Sequence, residues 1–393
     1  MTALPTANPI DVGLCPQRSQ RLLDVLQGEI QSQRLPGAVV LVARRGKIAL
    51  FESLGQQDPA TGVPMAKDAI FRIYSMTKPL VSVAVMMLME QGQLLLSDPI
   101  DKYLPEFAGQ KVAIDANGQQ VLQDAKQAAT LQDLLRHTAG LTYEFLGAAP
   151  VQQQYARATV NSRDLSNTEF ARRLAEIPLM YQPGTVWEYS RATDVLGCVV
   201  EAVSGMTLGE YLRSAILHPL GMHETDFSVP SANHHRIAEP FGHDPDGGIP
   251  MRVFDPRQVP AMEAGGGGLM STAADYARFL QFMLNKGELN GVRLLGSRTV
   301  DYMTADHLGN MPSTGNLLPP GHGFGLGFAV RTATGISPVP GSAGLYYWGG
   351  IAGTTFFVDP AEVLYAMMMI QAPNQRDYYR PLFRNLVYAS LMD

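Results

Sequence analysis

The chain has 393 residues, enough for two domains or one large one, and its 46% apolar and 17% charged side chains are the balance of a well-packed globule. Its 30 Lys and Arg against 36 Asp and Glu leave a net charge of −6 with no basic run, which argues against a nucleic-acid partner. The two cysteines, Cys15 and Cys198, cannot build a disulfide framework, and neither lies in a CxxC or Cys/His cluster.

The stretch from Met1 to Pro9 lacks a charged n-region and an apolar h-region, so no signal peptide is visible and a cytoplasmic location is expected. Leu22, Leu23, Val25, Leu26 and Ile30 fall at helical spacing and predict a helix from Pro16 to Arg34, stopped by Pro36-Gly37. Ala38 to Ala43 reads as a buried strand, Arg44-Arg45-Gly46 as a turn, and Lys47 to Ser53 as its hairpin partner. The longest apolar run, Leu80 to Met89, falls far short of the roughly 20 residues that span a bilayer. It predicts a buried core helix, and no membrane partner is expected.

From about residue 93 to 255 polar loops and helical pieces dominate, including Leu131 to Arg136, Thr168 to Glu176 and Ala192 to Ser204. Strand signals return at Gly325 to Val330, Leu345 to Trp348, Thr354 to Val358 and Leu364 to Ile370, and helical periodicity runs from Tyr378 to Met392. The expected architecture is α+β: an α/β domain from residues 1–92 and 256–393, whose sheet takes strands from both ends of the chain, and a mainly helical domain at 93–255.

Ser75-Met76-Thr77-Lys78 carries the first chemical signal. Residues i and i+3 share a helix face, so Ser75 Oγ would lie near the Lys78 amine. An alcohol is a poor nucleophile at neutral pH, and a desolvated neutral lysine beside it can take its proton. By itself the pair reads more readily as a helix cap followed by a solvated lysine. A second signal is the Pro183-Gly184 turn leading to Tyr189-Ser190. A buried tyrosine near a lysine can relay protons between a serine and a leaving group.

Together with these, Gly92 to Pro99, Lys102 to Phe107, Leu134-Leu135-Arg136-His137-Thr138-Ala139-Gly140-Leu141, Gly265 to Thr272 and Trp348-Gly349-Gly350 form an ordered set spanning nearly the whole chain. In this set the chain resembles the serine β-lactamase and penicillin-binding-protein superfamily. Within it the chain is similar to class C β-lactamases, D-alanyl-D-alanine carboxypeptidases and, most of all, family VIII carboxylesterases of the Burkholderia EstB type. The resemblance implies a β-lactamase/transpeptidase-like fold, with a central antiparallel sheet flanked by helices. It implies Ser75 as the acylated nucleophile, Lys78 as base or proton relay, and Tyr189 as the tyrosine of the Tyr-x-Asn motif. Arg191 stands where that motif has Asn, and Tyr181, just before the same Pro-Gly turn, is a rival proton shuttle. The oxyanion hole would be the backbone N–H groups of Ser75 and Ile351.

Trp348-Gly349-Gly350 stands where relatives carry Lys-Thr-Gly or His-Thr-Gly on the strand lining the active site. In β-lactamases that cation holds the carboxylate of the drug. Trp348 offers one N–H and a large apolar face. Losing a charged hydrogen bond costs about 1.5–3 kcal/mol, so uncharged acyl esters are expected in preference to β-lactams. The expected activity is therefore that of a serine carboxylesterase on small-molecule short-chain acyl esters, the acetyl side ester of cephalosporins among them, with no metal or organic cofactor. A class C-like β-lactamase or D-Ala-D-Ala carboxypeptidase is the alternative enzyme, and a non-turnover β-lactam or peptide binder the alternative of another class.

Other constellations yield less. No G-x-S-x-G pentad occurs, and the nearest approach, Gly335-Ile336-Ser337-Pro338-Val339, lacks the final glycine. The Gly265–Gly268 run has no Gly-Lys-Ser/Thr after it and reads as a tight turn at the active-site edge. His234-His235 and His243-Asp244 lack metal-ligand spacing, His137 reads as structural, and the Met86-Met87 and Met367-Met368-Met369 runs read as core filler.

Overall fold

In the computed structural model, which describes residues 3–116 and 119–392, the chain is organised by an eight-stranded antiparallel sheet. Its strands are β1 (Gly37–Arg44), β2 (Lys47–Asp58), β3 (Val63–Pro64), β4 (His322–Phe324), β5 (Ala329–Arg331), β6 (Tyr346–Gly349), β7 (Thr355–Asp359) and β8 (Leu364–Ile370). Their spatial order is β4-β5-β6-β7-β8-β1-β2-β3. β1 and β8 pair in the middle of the sheet, from Ala38 opposite Ile370 to Arg44 opposite Leu364, so the two ends of the chain meet there.

Both central strands are buried along their whole length because helices cover both faces. Successive side chains alternate between those faces. Val39, Leu41, Met367 and Met369 enter the larger core. Val40, Val42, Met368 and Ile370 enter a smaller one, which they share with Leu22 and Leu26 of helix α1 (Pro16–Gln31). The Met367–Met369 run is thus explained as two-sided core packing.

Helix α2 (Thr77–Glu90) runs through the larger core, and from Thr77 to Leu88 every residue is buried. Helix α3 (Ala192–Ser204) packs against it. The C-terminal helix α4 (Arg376–Ala389) lies over the opposite face of the sheet, where Tyr379, Phe383 and Val387 complete the smaller core. Two of the helical pieces expected between residues 93 and 255 begin at side-chain caps. Thr130 accepts from the Asp133 N–H and Ser166 from the Glu169 N–H, satisfying amides that a helix start leaves open.

The structure departs from the sequence reading in two places. Lys111–Ala116 and Gln119–Asp124 pair as a hairpin inside the segment expected to be helical. Gly325 to Val330 is no continuous strand: Gly325 N–H donates to Phe328 O and turns the chain between β4 and β5. Gly327 takes φ +99° there, and a Cβ on it would sit 2.4 Å from Ser82 Oγ on α2, so the turn needs glycine to pass that close. The larger core takes residues from both parts of the chain, Leu134, Trp187 and Val199 lying in the same cluster as Leu41 and Met367. No single helix among the described residues is long and apolar enough to cross a membrane.

Candidate active site

Ser75 sits in a single 3-10 turn, Tyr74–Met76, joined directly to the start of α2. The turn is bent sharply: Tyr74 has φ +43°, a conformation that costs a non-glycine residue of order 1–3 kcal/mol. Surrounding contacts hold it. The Tyr74 hydroxyl accepts from the Phe254 N–H at 3.2 Å and the two rings lie 4.9 Å apart, while Ile73 N–H donates to Leu269 O.

One helical turn later Lys78 is completely buried, and its Nζ reaches Gly266 O at 2.6 Å, Tyr143 Oη at 3.0 Å and Ser75 Oγ at 3.3 Å. The Tyr189 hydroxyl is closer still to Ser75 Oγ, at 2.6 Å, and Lys78 Nζ lies 4.6 Å from the centre of the Tyr189 ring. The indole N–H of Trp348 donates to the Tyr189 oxygen at 3.3 Å. The structure thus gathers Ser75, Lys78, Tyr189 and Trp348 into one hydrogen-bonded group. Tyr181 stands apart from it. Its hydroxyl has no hydrogen bond to Ser75 or Lys78 among the described residues, and its carbonyl packs against Gly140, where a Cβ would approach to 2.2 Å.

The Gly265–Gly268 run is a tight turn packed on α3, next to Lys78. A Cβ on Gly266 would lie 2.6 Å from the Asp194 carboxylate, and one on Gly265 would lie 2.5 Å from Thr193 O. This closeness lets Asp194 accept from the Gly266 N–H at 2.8 Å while the Gly266 carbonyl faces the Lys78 amine. Arg191 is buried and bound by Glu144 through two nitrogens, with Asp194 3.6 Å away. It does not line the cavity at Ser75.

On the facing side, Gly349 and Gly350 are required by contact. A Cβ on Gly350 would come within 2.4 Å of Ile73 O, and one on Gly349 within 2.8 Å of Thr354 O. The end of β6 thereby lies against the turn that carries Ser75. Beyond it, neither the Ile351 nor the Ser75 amide has a hydrogen-bond acceptor among the described residues. The Gly350 carbonyl, in the same peptide unit as the Ile351 N–H, accepts from Gly353 N–H and from the Arg380 guanidinium. In a trans peptide the N–H then points the opposite way.

Ser75, Tyr189, Trp348, Gly349 and Ile351 line one cavity of about 590 Å³, whose other walls include Phe145, Leu146, Leu317 and Met251. That volume suits a small molecule. Burial, followed by the nearby Tyr189 and Asp194, pushes the Tyr143 hydroxyl far above its ordinary range, so it serves Lys78 as a neutral phenol. His137 is buried with Nδ1 3.1 Å from Ser190 Oγ and its ring 5.0 Å from Tyr189. Burial and then the Lys78 charge hold it well below its usual range, so it packs as a neutral ring beneath the site. Among the described residues no three His, Cys, Asp or Glu side chains could hold a metal ion.

The sequence reading did not single out Tyr143, Asp194 or the Gly266 carbonyl. Tyr143 follows the His137–Leu141 segment by two residues, which was an available signal. A backbone carbonyl leaves none. Because Trp348 supplies the single N–H that steadies the Tyr189 oxygen, Trp348→Phe should lower kcat about tenfold and change KM much less, as steady-state kinetics would show. An unchanged kcat would remove Trp348 from the relay.

The Beta-lactamase family model matches residues 22–389. Esterase EstB of Burkholderia gladioli is 34% identical over 390 residues, covering 93% of this chain and 92% of that one. Protein Rv1367c of Mycobacterium tuberculosis is 36% identical over 347 residues, 86% of each. Among solved structures, EstCE1, described as a hydrolase with promiscuous acyltransferase activity, superposes with a TM-score of 0.81 at 27% identity, covering 94% of this chain and 98% of its own.

Proposed function

The chain belongs to the Beta-lactamase family and has the fold of β-lactamases and penicillin-binding proteins, and on that premise we propose that it is a serine carboxylic ester hydrolase working through an acyl-enzyme on Ser75. The observation that carries the mechanism is the shared contact at Ser75 Oγ, 2.6 Å from the Tyr189 hydroxyl and 3.3 Å from the Lys78 amine. The similarity to EstB and to EstCE1 supports esters as the substrate class.

In this reading the Lys78–Tyr189 pair is the proton acceptor. Ser75 Oγ attacks the ester carbonyl carbon, and the pair takes its proton. The oxyanion that forms accepts from the Ser75 and Ile351 N–H groups, donors fixed before the reaction begins. The carbonyl re-forms, the bond to the alcohol breaks, and Tyr189 hands the proton to the departing oxygen. Water then attacks the acyl carbon, the pair takes its proton, and that proton returns to Ser75 Oγ as the carboxylic acid leaves. Every proton is accounted for without a metal.

Trp348, where β-lactamases carry a cation, and the mostly apolar cavity wall favour short acyl esters over β-lactam opening. The acetyl side ester of a cephalosporin, with the lactam left closed, is within the reading. The test is a panel of p-nitrophenyl esters of increasing acyl length beside nitrocefin and a D-Ala-D-Ala peptide. Steady turnover fastest on the short esters is the expected result. A single stoichiometric burst followed by silence would instead identify a non-turnover binder. Faster hydrolysis of nitrocefin or of the peptide than of any ester would replace the esterase by the β-lactamase or the carboxypeptidase.

A further inference from the structure

Helix α4 presents three arginines to the same cavity that holds Ser75. Arg376, Arg380 and Arg384 are spaced four residues apart, so they lie on one helix face, and all three line the cavity wall. Three like charges in a row repel one another, and buried charges are normally paired. Here the pairing is sparse. Arg376, the most accessible, has only its sequence neighbour Asp377 at 3.6 Å and the Pro373 carbonyl. Arg380 has the Gly350 carbonyl, while its Nε is buried with no hydrogen-bond partner.

Arg384 is the clearest case. It is 7% exposed and has neither an ion pair nor a hydrogen bond among the described residues. Its guanidinium lies 4.3 Å from the centre of the Tyr347 ring and 5.3 Å from that of Phe357, aromatic neighbours that hold it flat and desolvated. The acid in its surroundings, Asp359, is already committed: Oδ2 accepts from Ser342 N–H and the Tyr388 hydroxyl, and Oδ1 from Ala361 N–H. Arg331, whose own partners are the Ala333 and Val339 carbonyls, adds positive charge nearby. Burial, and then the Arg376 charge, lower the proton affinity of Arg380, to about 10.

We propose that Arg384, with Arg380 and Arg376 beside it, forms an anion subsite that receives a carboxylate carried by the ester substrate while Ser75 attacks the ester carbonyl. The cation missing at Trp348 is then supplied from the other wall, by α4 in place of β6. This revises the preference for uncharged esters expected from Trp348 alone. A planar guanidinium stacked between aromatic rings meets a carboxylate through two parallel N–H···O bonds, which a lysine in the same place would not reproduce.

This inference rests on the esterase reading, and the experiment separates the two. Mono-p-nitrophenyl esters of succinate, adipate and suberate are compared with their methyl-capped neutral counterparts. In the wild-type protein kcat/KM for at least one acid should exceed that for its capped partner about tenfold or more, the worth of one charge-assisted bond. Arg384→Met should bring that ratio to about one while turnover of the capped ester stays within about twofold, and Arg384→Lys should keep only part of the preference. A wild-type ratio near one for all three acids overturns the subsite, as does a ratio that Arg384→Met leaves unchanged. If Arg384→Met does not fold, Arg384→Lys and competitive inhibition of wild type by free suberate, with suberamide as the neutral control, decide the same question: equal inhibition by both overturns it. If no ester is turned over at all, the esterase reading fails alone. Calorimetric titration of suberate into the wild-type protein then still tests the subsite, with no binding overturning it.

Discussion

Replacing Ser75 with alanine should take ester hydrolysis down by about four to six orders of magnitude, to the residue left by binding and the oxyanion donors. Neither Ser190 nor Ser82 can take its place. Ser190 Oγ is engaged by His137 and by the Ala192 N–H, and Ser82 Oγ is buried under Gly327. Lys78 keeps its bonds to Gly266 O and Tyr143, and Tyr189 keeps that from Trp348, when the Ser75 hydroxyl is removed, so circular dichroism and melting temperature should stay close to wild type. Mass spectrometry of the intact protein during turnover supplies the second readout: wild type should gain the mass of the acyl group and the Ser75→Ala variant should not. Near-normal activity in that variant would end the acyl-enzyme mechanism.

Tyr189→Phe should cost about 10²- to 10⁴-fold in kcat, the usual worth of a positioned proton carrier, with a smaller change in KM. The comparison with Tyr181→Phe makes this decisive. Both tyrosines flank the same Pro183-Gly184 turn, yet only the Tyr189 hydroxyl reaches Ser75, so Tyr181→Phe should stay within about twofold of wild type. Lys78→Ala should be nearly as severe as Ser75→Ala, since it removes the partner that shares the proton. It also leaves the Gly266 carbonyl and the Tyr143 hydroxyl without their common donor. If Tyr181→Phe is the damaging change and Tyr189→Phe is not, the relay runs through a different conformation of the 181–191 loop.

Much of this arrangement was legible in the residues because it is local. The Ser75–Lys78 spacing fixes one helix face, and Pro183-Gly184 followed by Tyr189 marks a loop that delivers a tyrosine. The strand runs of β1, β7 and β8 were readable from their apolar continuity alone. Some of what escaped depends on contacts between distant segments. Gly325 to Val330 has strand-like composition, and only the approach of α2 shows why its glycines turn it. The Lys111–Asp124 hairpin is different: Asn117-Gly118, between Val112-Ala113-Ile114 and Val121-Leu122, is a local hairpin signal that the sequence reading passed over. The Gly266 carbonyl is invisible because backbone groups have no residue code. The arginines at 376, 380 and 384 are evenly spaced in the sequence, but nothing there says how sparse their partners are.

The Gly349-Gly350 approach to Ile73 has a consequence for how activity and folding relate. The nucleophile belongs to the first quarter of the sequence and the Ile351 amide to its last part, and they meet only because the β6 terminus nestles against the Tyr74 turn. Closing so long a loop costs chain entropy before the distant contacts that offset it can form. A half-folded molecule therefore holds a serine and a lysine on a helix but no cradle for the negative oxygen. Turnover is in this sense a proofreading signal for the finished fold: an incompletely assembled chain stays chemically silent instead of becoming a loosely selective hydrolase.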